Sequence, residues 1–324
     1  MKDKSLDKKN IKERLIDLSK EIWKYKMVYT LLLPGLIWMV IFAFIPMGGL
    51  ILAFKDFNAK LGILGSPWAG FENFEYLFRD SAFWASIWKT IYINLSKMII
   101  SFPVPIILAL MFNEIRLKRY PKVAQTIYTF PNFLSWIVVS GIIINLLSQS
   151  GLVNSVLVLL GFEKINFMGS EGWFLPILIL SDIWKTAGWT AIIYIAAIAG
   201  IDQEQYEAAS VDGASRLYMM YKITLPNIMP TVMVMFILAA GSMVSSSFDQ
   251  VFNLSNPATK DAAEVLDMYI YRVTFSSSTD FSFSAAVSLF RSILNMCFLL
   301  LANKGAILLG GSGLFATGGK KNAK

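Results

Sequence analysis

From Val28 to Phe54 the chain carries no charged residue, and five more long apolar stretches follow it. About 20 apolar residues in a helix cross a hydrocarbon core of about 30 Å. The pattern predicts six membrane-crossing helices, over residues 28–54, 86–112, 126–148, 173–200, 229–248 and 283–309. The first is too long for the apolar region of a secretory signal, and no small-residue cleavage site follows it, so it is expected to stay in the mature protein. An even number of crossings puts both chain ends on one side. Ahead of the first crossing, Ile11, Leu15, Leu18 and Ile22 recur at helical spacing among lysines, which predicts an amphipathic helix lying on the membrane surface. The expected organisation is an arm over 1–27, an all-α membrane domain over 28–309 and a flexible glycine-rich tail over 310–324. No internal repeat is visible.

Composition agrees. Hydrophobic residues make up 56% and charged residues 16%, against about 25% charged in soluble domains. The net charge of +7 invites two readings, nucleic acid or membrane, and its distribution decides between them. Residues 1–27, 113–125, 201–228 and the stretch from Asn303 onward hold 19 Lys and Arg; the alternate connecting segments hold 6. Lys and Arg accumulate in cytoplasmic segments, so both termini are expected in the cytoplasm and no nucleic-acid partner is needed. Trp84, Trp88 and Trp173 on one side, with Trp23, Tyr25, Tyr120 and Tyr128 on the other, fit aromatic belts at the two interfaces. The chain has no histidine, which removes the usual triads and the common zinc sites. Its one cysteine, Cys297, forms no intrachain disulfide. Gly318-Gly319-Lys320 superficially suggests a phosphate loop, but Leu314 stands where the pattern needs glycine and Lys321 where it needs Ser or Thr.

The loop between the fourth and fifth stretches narrows the choice. It reads Glu207-Ala208-Ala209-Ser210-Val211-Asp212-Gly213-Ala214, then eight residues, then Ile223-Thr224-Leu225-Pro226. This predicts two short helices joined at a turn. Gly213 suits a positive φ. The alanines keep the surface low enough for another protein to approach closely, and Pro226 suits the first turn of the returning helix. Such a compact cytoplasmic element reads as a docking site.

This string resembles the EAA loop of the permeases of binding-protein-dependent ABC importers, with its spacing kept. The resemblance implies a six-helix permease fold in a bacterial inner membrane. It also implies a coupling role for Glu207, Ala208, Ala209, Asp212, Gly213, Leu225 and Pro226, with Glu207 pairing with a base of the ATPase and Gly213 making the turn. The implied partners are two ATPase subunits that bind the ATP and Mg, a second permease in a heterodimer, an external solute-binding protein, an oligosaccharide and the bilayer. The chain itself would hold no cofactor and hydrolyse nothing. Ala53-Phe54-Lys55-Asp56-Phe57-Asn58, Gly65-Ser66-Pro67-Trp68, Gly70-Phe71-Glu72-Asn73-Phe74 and Ile183-Trp184-Lys185 are similar to the carbohydrate branch. Within it they are closest to the polysaccharide, alginate-type subgroup. Leu32-Leu33-Pro34-Gly35 suggests the larger permease of maltose-type systems.

Charges inside a crossing cost about 2.5–3.5 kcal/mol each on insertion scales, so they are functional candidates. The stretches contain Lys89, Lys97, Asp182, Lys185 and Arg291. Asp182 and Lys185, three apart, are placed to neutralise each other. Lys97 and Arg291 are left to backbone carbonyls or to acids of a partner permease. The sharper alternative is that Lys185 or Arg291 lines a cavity and meets a carboxylate-bearing sugar. Sugars offer hydroxyls and apolar C–H faces, so amides, hydroxyls and aromatic planes are the other candidates: Trp184, Trp189, Ser242, Ser245, Ser246, Phe248, Asp249, Gln250, Asn145, Gln149 and Asn295. Two other classes compete with the importer reading. A secondary transporter or channel would work from an ion gradient without an ATPase partner. A membrane-embedded glycan transferase would need an acid/base pair, and Asp182 is the one acid deep in a crossing.

Overall fold

The computed structural model describes residues 20, 23–114, 120–245, 247–277, 280–308 and 313–314. The amphipathic arm and nearly all of the tail lie outside them, as does Ser246. Among the described residues the fold is all helical; Lys55 and Trp68 share an isolated bridge. The crossings are Lys26–Phe54, Ser81–Glu114, Trp136–Leu159, Arg216–Ala240 and Phe281–Leu308, with Glu171–Ala199 joined at a 71° bend to Gln203–Val211. That gives the six expected.

The first crossing stands largely apart, with 6% of its apolar window buried, and meets the sixth mainly through Gly48–Phe54. It is not one regular helix. A wide turn over Val40–Phe44 lets Ile45 N–H donate to Val40 O, five residues back, just before Pro46. The fifth crossing repeats the device: Leu225 N–H donates to Met220 O just before Pro226. A proline inside a helix has no N–H and its ring presses on the carbonyl four residues earlier, so a widened preceding turn relieves the clash. Pro226 falls in the first turn of Leu225–Ala240, as expected for it, and that helix continues the rod that starts at Arg216.

Two crossings differ from their predicted extents. The third, expected as one helix over 126–148, is interrupted by the Phe130–Phe133 turn that contains Pro131. Helix resumes at Trp136–Leu147, capped by the Ser135 hydroxyl. The fifth, expected to reach Phe248, stops at Ala240; the described residues 241–245 and 247 are non-helical and a short helix, Phe248–Leu254, follows. Both breaks escape hydropathy averaged over a membrane-length window, because Phe130, Phe133 and Leu134 in one and Met243 and Val244 in the other keep that average apolar.

The fourth crossing is the central post. It packs on Pro103–Glu114 of the second, on Tyr120–Thr129 of the third and on the fifth. At its far end Ala191, Tyr194, Ile198 and Ile201 form a core with Ala109 and Ile228. At its beginning Phe174, Ile177 and Leu178 pack with Ile93, Val251, Leu254 and Val265. A third core joins Phe83, Ile87, Val244, Tyr269 and Val287.

The connecting segments at the beginning of the fourth crossing form a stitched cap. Buried Lys55 donates to Ile63 O and Leu64 O at 2.9 and 3.0 Å. Asn73 donates to Ala53 O and Lys55 O, and Phe57 N–H donates to Ser282 Oγ at 2.9 Å. Tyr269 OH donates to Asp80 Oδ2 at 2.6 Å. Burial first, and then that neighbouring carboxylate, push the Tyr269 phenol well above its ordinary range, so it keeps its proton and remains a donor.

Candidate functional site

Two places carry chemistry. The first is the turn after the fourth crossing. Gln203–Val211 begins at Asp202, whose carboxylate accepts from Glu204 N–H. It ends in a Schellman closure: Ala214 N–H donates to Ala209 O at 2.9 Å, and Gly213 N–H to Ser210 O at 3.1 Å. Gly213 has φ +75°, as expected for this position. The Ser215 hydroxyl then caps Arg216–Met219, accepting from Tyr218 N–H. The two helices of the sequence reading are therefore present.

The turn is braced from behind and bare in front. Tyr206 OH and Thr224 Oγ1 share a hydrogen bond of 2.9 Å, Asn227 Nδ2 donates to Gln205 Oε1, and Arg216 pairs with Glu114 at 3.7 Å. Glu207, Ala208 and Asp212 are exposed, and Ala209 is half-buried. Val211, Leu217, Tyr218 and Tyr221 expose large apolar area around them. The structure brings the Glu207–Gly213 candidates together on this surface. Leu225 and Pro226 are elsewhere, at the root of the rod, where Leu225 packs against the adjoining core.

The second place is a cavity of about 330 Å³ between the second, fourth and fifth crossings. Asn94, Lys97, Ser101 and Phe102 line one side; Asp182, Thr186 and Thr190 a second; Met235, Leu238, Ser242, Met243 and Ser245 the third. Lys97 Nζ pairs with Asp182 Oδ1 at 3.6 Å and donates to Gln250 Oε1 at 2.6 Å. Fully buried Gln250 in turn donates to Leu178 O and Ser181 Oγ, both at 2.8 Å. The break in the fifth crossing forms the cavity edge. Asn94 donates to Met243 O and Ser245 O at 2.8 and 3.0 Å. Asn295 accepts from Val244 N–H at 3.0 Å and donates to Ser245 Oγ at 2.7 Å. Irregular backbone at membrane depth is tolerated where side chains satisfy it or it lines a cavity, and this segment has both supports.

Asn295→Ala removes both of those bonds and leaves the buried Val244 N–H without its acceptor. It should cost about 1–3 kcal/mol in equilibrium unfolding in detergent, with Ser245→Ala costing clearly less. Equal costs would show that Asn295 does not hold the break.

The expected Asp182–Lys185 pair does not form. Asp182, Thr186 and Thr190, four apart in turn, face the cavity. Lys185 sits on another stripe with Gly188, toward the third crossing, and donates to Pro131 O, Asn132 O and Leu134 O at 3.5, 2.9 and 2.7 Å. Three carbonyls of the Pro131 turn, of which Pro131 O also accepts from Leu134 N–H, outcompete one carboxylate on a different face. Arg291 forms an ion pair with Asp267 of Leu266–Tyr271. Lys89 donates to the Asp261 carbonyl. Neither Lys185 nor Arg291 lines the cavity, so both leave the list of sugar-facing bases.

The aromatic candidates also lie outside it. Trp184 lines an apolar groove with Ile142, Leu146 and Leu180, and Trp189 meets Phe133 edge-on at 5.7 Å. Phe248 stacks on Phe252, Asp249 is exposed, and Asn145 donates to Gly141 O of its own helix. Of the substrate-path candidates, Asp182, Ser242 and Ser245 line the cavity and Asn295 supports its edge. Asn94 was missed. Its signal was present: Asn94, Lys97 and Ser101 recur at i, i+3 and i+7, a polar stripe along one face of an apolar helix.

The chain matches the family described as "Binding-protein-dependent transport system inner membrane component" over residues 81–303. It is 38% identical over 314 residues, 97% of each chain, to the polygalacturonan/rhamnogalacturonan transport system permease protein YteP of Bacillus subtilis (strain 168). It is also 38% identical over 291 residues to Protein LplB of the same organism, covering 90% of this chain and 91% of that one. A chain in a crystal structure of a bacterial alginate ABC transporter, in complex with alginate pentasaccharide-bound periplasmic protein, superposes with a TM-score of 0.82 at 36% identity. That match covers 91% of this chain and 99% of the other. The chain therefore belongs to the family of inner-membrane components of binding-protein-dependent transport systems, as a multi-pass permease.

Proposed function

We propose that this permease moves acidic oligosaccharides from an external solute-binding protein into the cytoplasm by alternating access, in a heterodimer with a second permease and with two ATPase subunits that hold the ATP and Mg. The observation that carries the reading is that the fourth crossing, Glu171–Ala199, supplies Asp182, Thr186 and Thr190 to the polar cavity and runs across a 71° bend into the braced turn. A push on the turn reaches the cavity wall through that bend and the helix before it. ATP-driven closure of the ATPase subunits would favour one of two bundle arrangements, a population shift. The acidic class is supported by the polygalacturonan/rhamnogalacturonan relative and by the alginate transporter. The orientation with both termini cytoplasmic is supported by the 19 to 6 distribution of bases and puts the turn where an ATPase would meet it.

In this reading Glu207, Ala208, Ala209, Asp212 and Gly213 contact the ATPase, with Glu207 facing one of its bases. Leu225 and Pro226 set the root from which the turn projects. Asp182, Ser245, Lys97 and Asn94 form the cavity that the sugar crosses. Gly213→Val puts a β-branched residue at φ +75° and opens the Schellman closure, at a local cost of about 1–2 kcal/mol. With Glu207→Ala it should leave the fold and membrane level unchanged while cutting uptake of an acidic oligosaccharide at least tenfold in the assembled transporter. Unchanged uptake and unchanged ATPase copurification in both variants would refute the coupling role.

A further inference from the structure

A second cavity, about 530 Å³, lies in the segment that connects the fifth and sixth crossings. Its walls include Asn256, Lys260, Glu264, Tyr271 and Arg272. Two of these are committed to structure. Asn256 donates to Met168 O at 2.7 Å and accepts from Ala258 N–H at 2.8 Å. Glu264 is held by Arg272 through Nε at 2.8 Å and Nη2 at 2.7 Å. The Glu264 charge is therefore neutralised within the wall, and Lys260, exposed and with no ion pair among the described residues, leaves the cavity one positive charge in surplus.

Tyr271, in the cavity wall, belongs to an aromatic cluster. The Tyr271 ring lies 5.3 Å from both Phe248 and Phe252 and 5.5 Å from Phe275, and Phe252 and Phe275 are exposed. Aromatic planes match the apolar C–H face of a sugar ring, and a cation beside them matches a carboxylate on that ring.

We propose that this cavity is an entry subsite for a carboxylate-bearing sugar unit, with Lys260 facing the carboxylate and Tyr271 beneath the ring. The subsite rests on the import reading above. It is separate from the midmembrane cavity and shares none of its lining residues.

The test is calorimetric titration of the full chain in nanodiscs with trigalacturonate and, as the neutral control, maltotriose. Trigalacturonate should bind saturably and more weakly as salt rises. Lys260→Gln should weaken it about tenfold without changing the weak maltotriose signal, and Tyr271→Phe, which keeps the ring, should retain most of the affinity that Tyr271→Ala loses. Lys260 is exposed, so its replacement leaves the fold intact. Absence of trigalacturonate binding, or binding indifferent to Lys260→Gln, overturns the subsite. So does a Lys260→Gln effect confined to docking of the sugar-free binding protein, which would make the cavity a seat for one of that protein's acidic side chains. Uptake by the assembled transporter separates the two readings. Intact trigalacturonate uptake without Lys260-dependent binding rejects the subsite and keeps the import reading; Lys260-dependent binding without uptake does the reverse.

Discussion

Replacing Asp182 by alanine should destabilise the folded permease by about 3 kcal/mol or more, because it strands Lys97 as an unpaired charge in a largely buried site. The two groups lie on different crossings, 3.6 Å apart, with side chains 13% and 19% exposed. Deleting both charges together should cost less than deleting the acid alone, since a well-packed apolar pair of similar volume often matches a buried ion pair. Lys97→Met/Asp182→Leu should therefore recover much of the loss. Part will remain, because Gln250 Oε1 loses its 2.6 Å donor and an unsatisfied buried acceptor costs about 1–3 kcal/mol. Equilibrium unfolding in detergent of the two single variants and the double variant gives the coupling directly. Additive costs would show that the pair is incidental. Uptake should stay low even in the recovered double variant, because the cavity would have exchanged its polar wall for an apolar one. Recovery of both stability and transport would remove Asp182 from the transport path.

Gly188→Ala is expected to be nearly as damaging, for a reason of space. A Cβ at Gly188 would lie 2.1 Å from Tyr128 O and 2.4 Å from Tyr128 C, both backbone atoms of the third crossing. Backbone cannot swing aside as a side-chain tip can, so two crossings must separate. Overpacking of this kind costs about 1–3 kcal/mol. Separation would also stretch the bonds from Lys185, one turn away, to Pro131, Asn132 and Leu134. Gly141→Ala supplies the contrast. It lies in the helical part of the same third crossing with nothing within 4 Å of its Cβ position, and alanine favours a helix interior by about 0.5–1 kcal/mol. Opposite signs for the two substitutions, read by unfolding in detergent, are the expected result. Similar small effects would mean that the fourth and third crossings do not meet at Gly188.

The cavity and the turn place different demands on sequence reading. The turn is local. Its cap residues, its glycine and its spacing all lie within about a dozen positions, and each group's partner is a near neighbour in the chain, so Gly213 at φ +75° could be expected from order alone. The cavity is assembled from crossings far apart in sequence. Asn94 supports carbonyls at Met243 and Ser245, and no spacing rule connects those positions. Lys185 illustrates the same point. Three positions from Asp182 it had a plausible partner, yet the rotation of the helix turned it toward the Pro131 break.

The amino-acid sequence by itself determined that the chain is a six-crossing membrane protein, how its bases divide between alternate connecting segments and where its capped turn falls. These follow from hydropathy summed over about 20 residues, from charge counts and from local backbone chemistry, none of which depends on how the helices pack. The tertiary structure alone decided which intramembrane charges pair, where the third and fifth crossings break and which side chains face the cavity. Those depend on helix rotation and on hydrogen bonds across crossings. Small shifts in packing change them, and an apolar stretch looks the same whether its backbone is helical or interrupted.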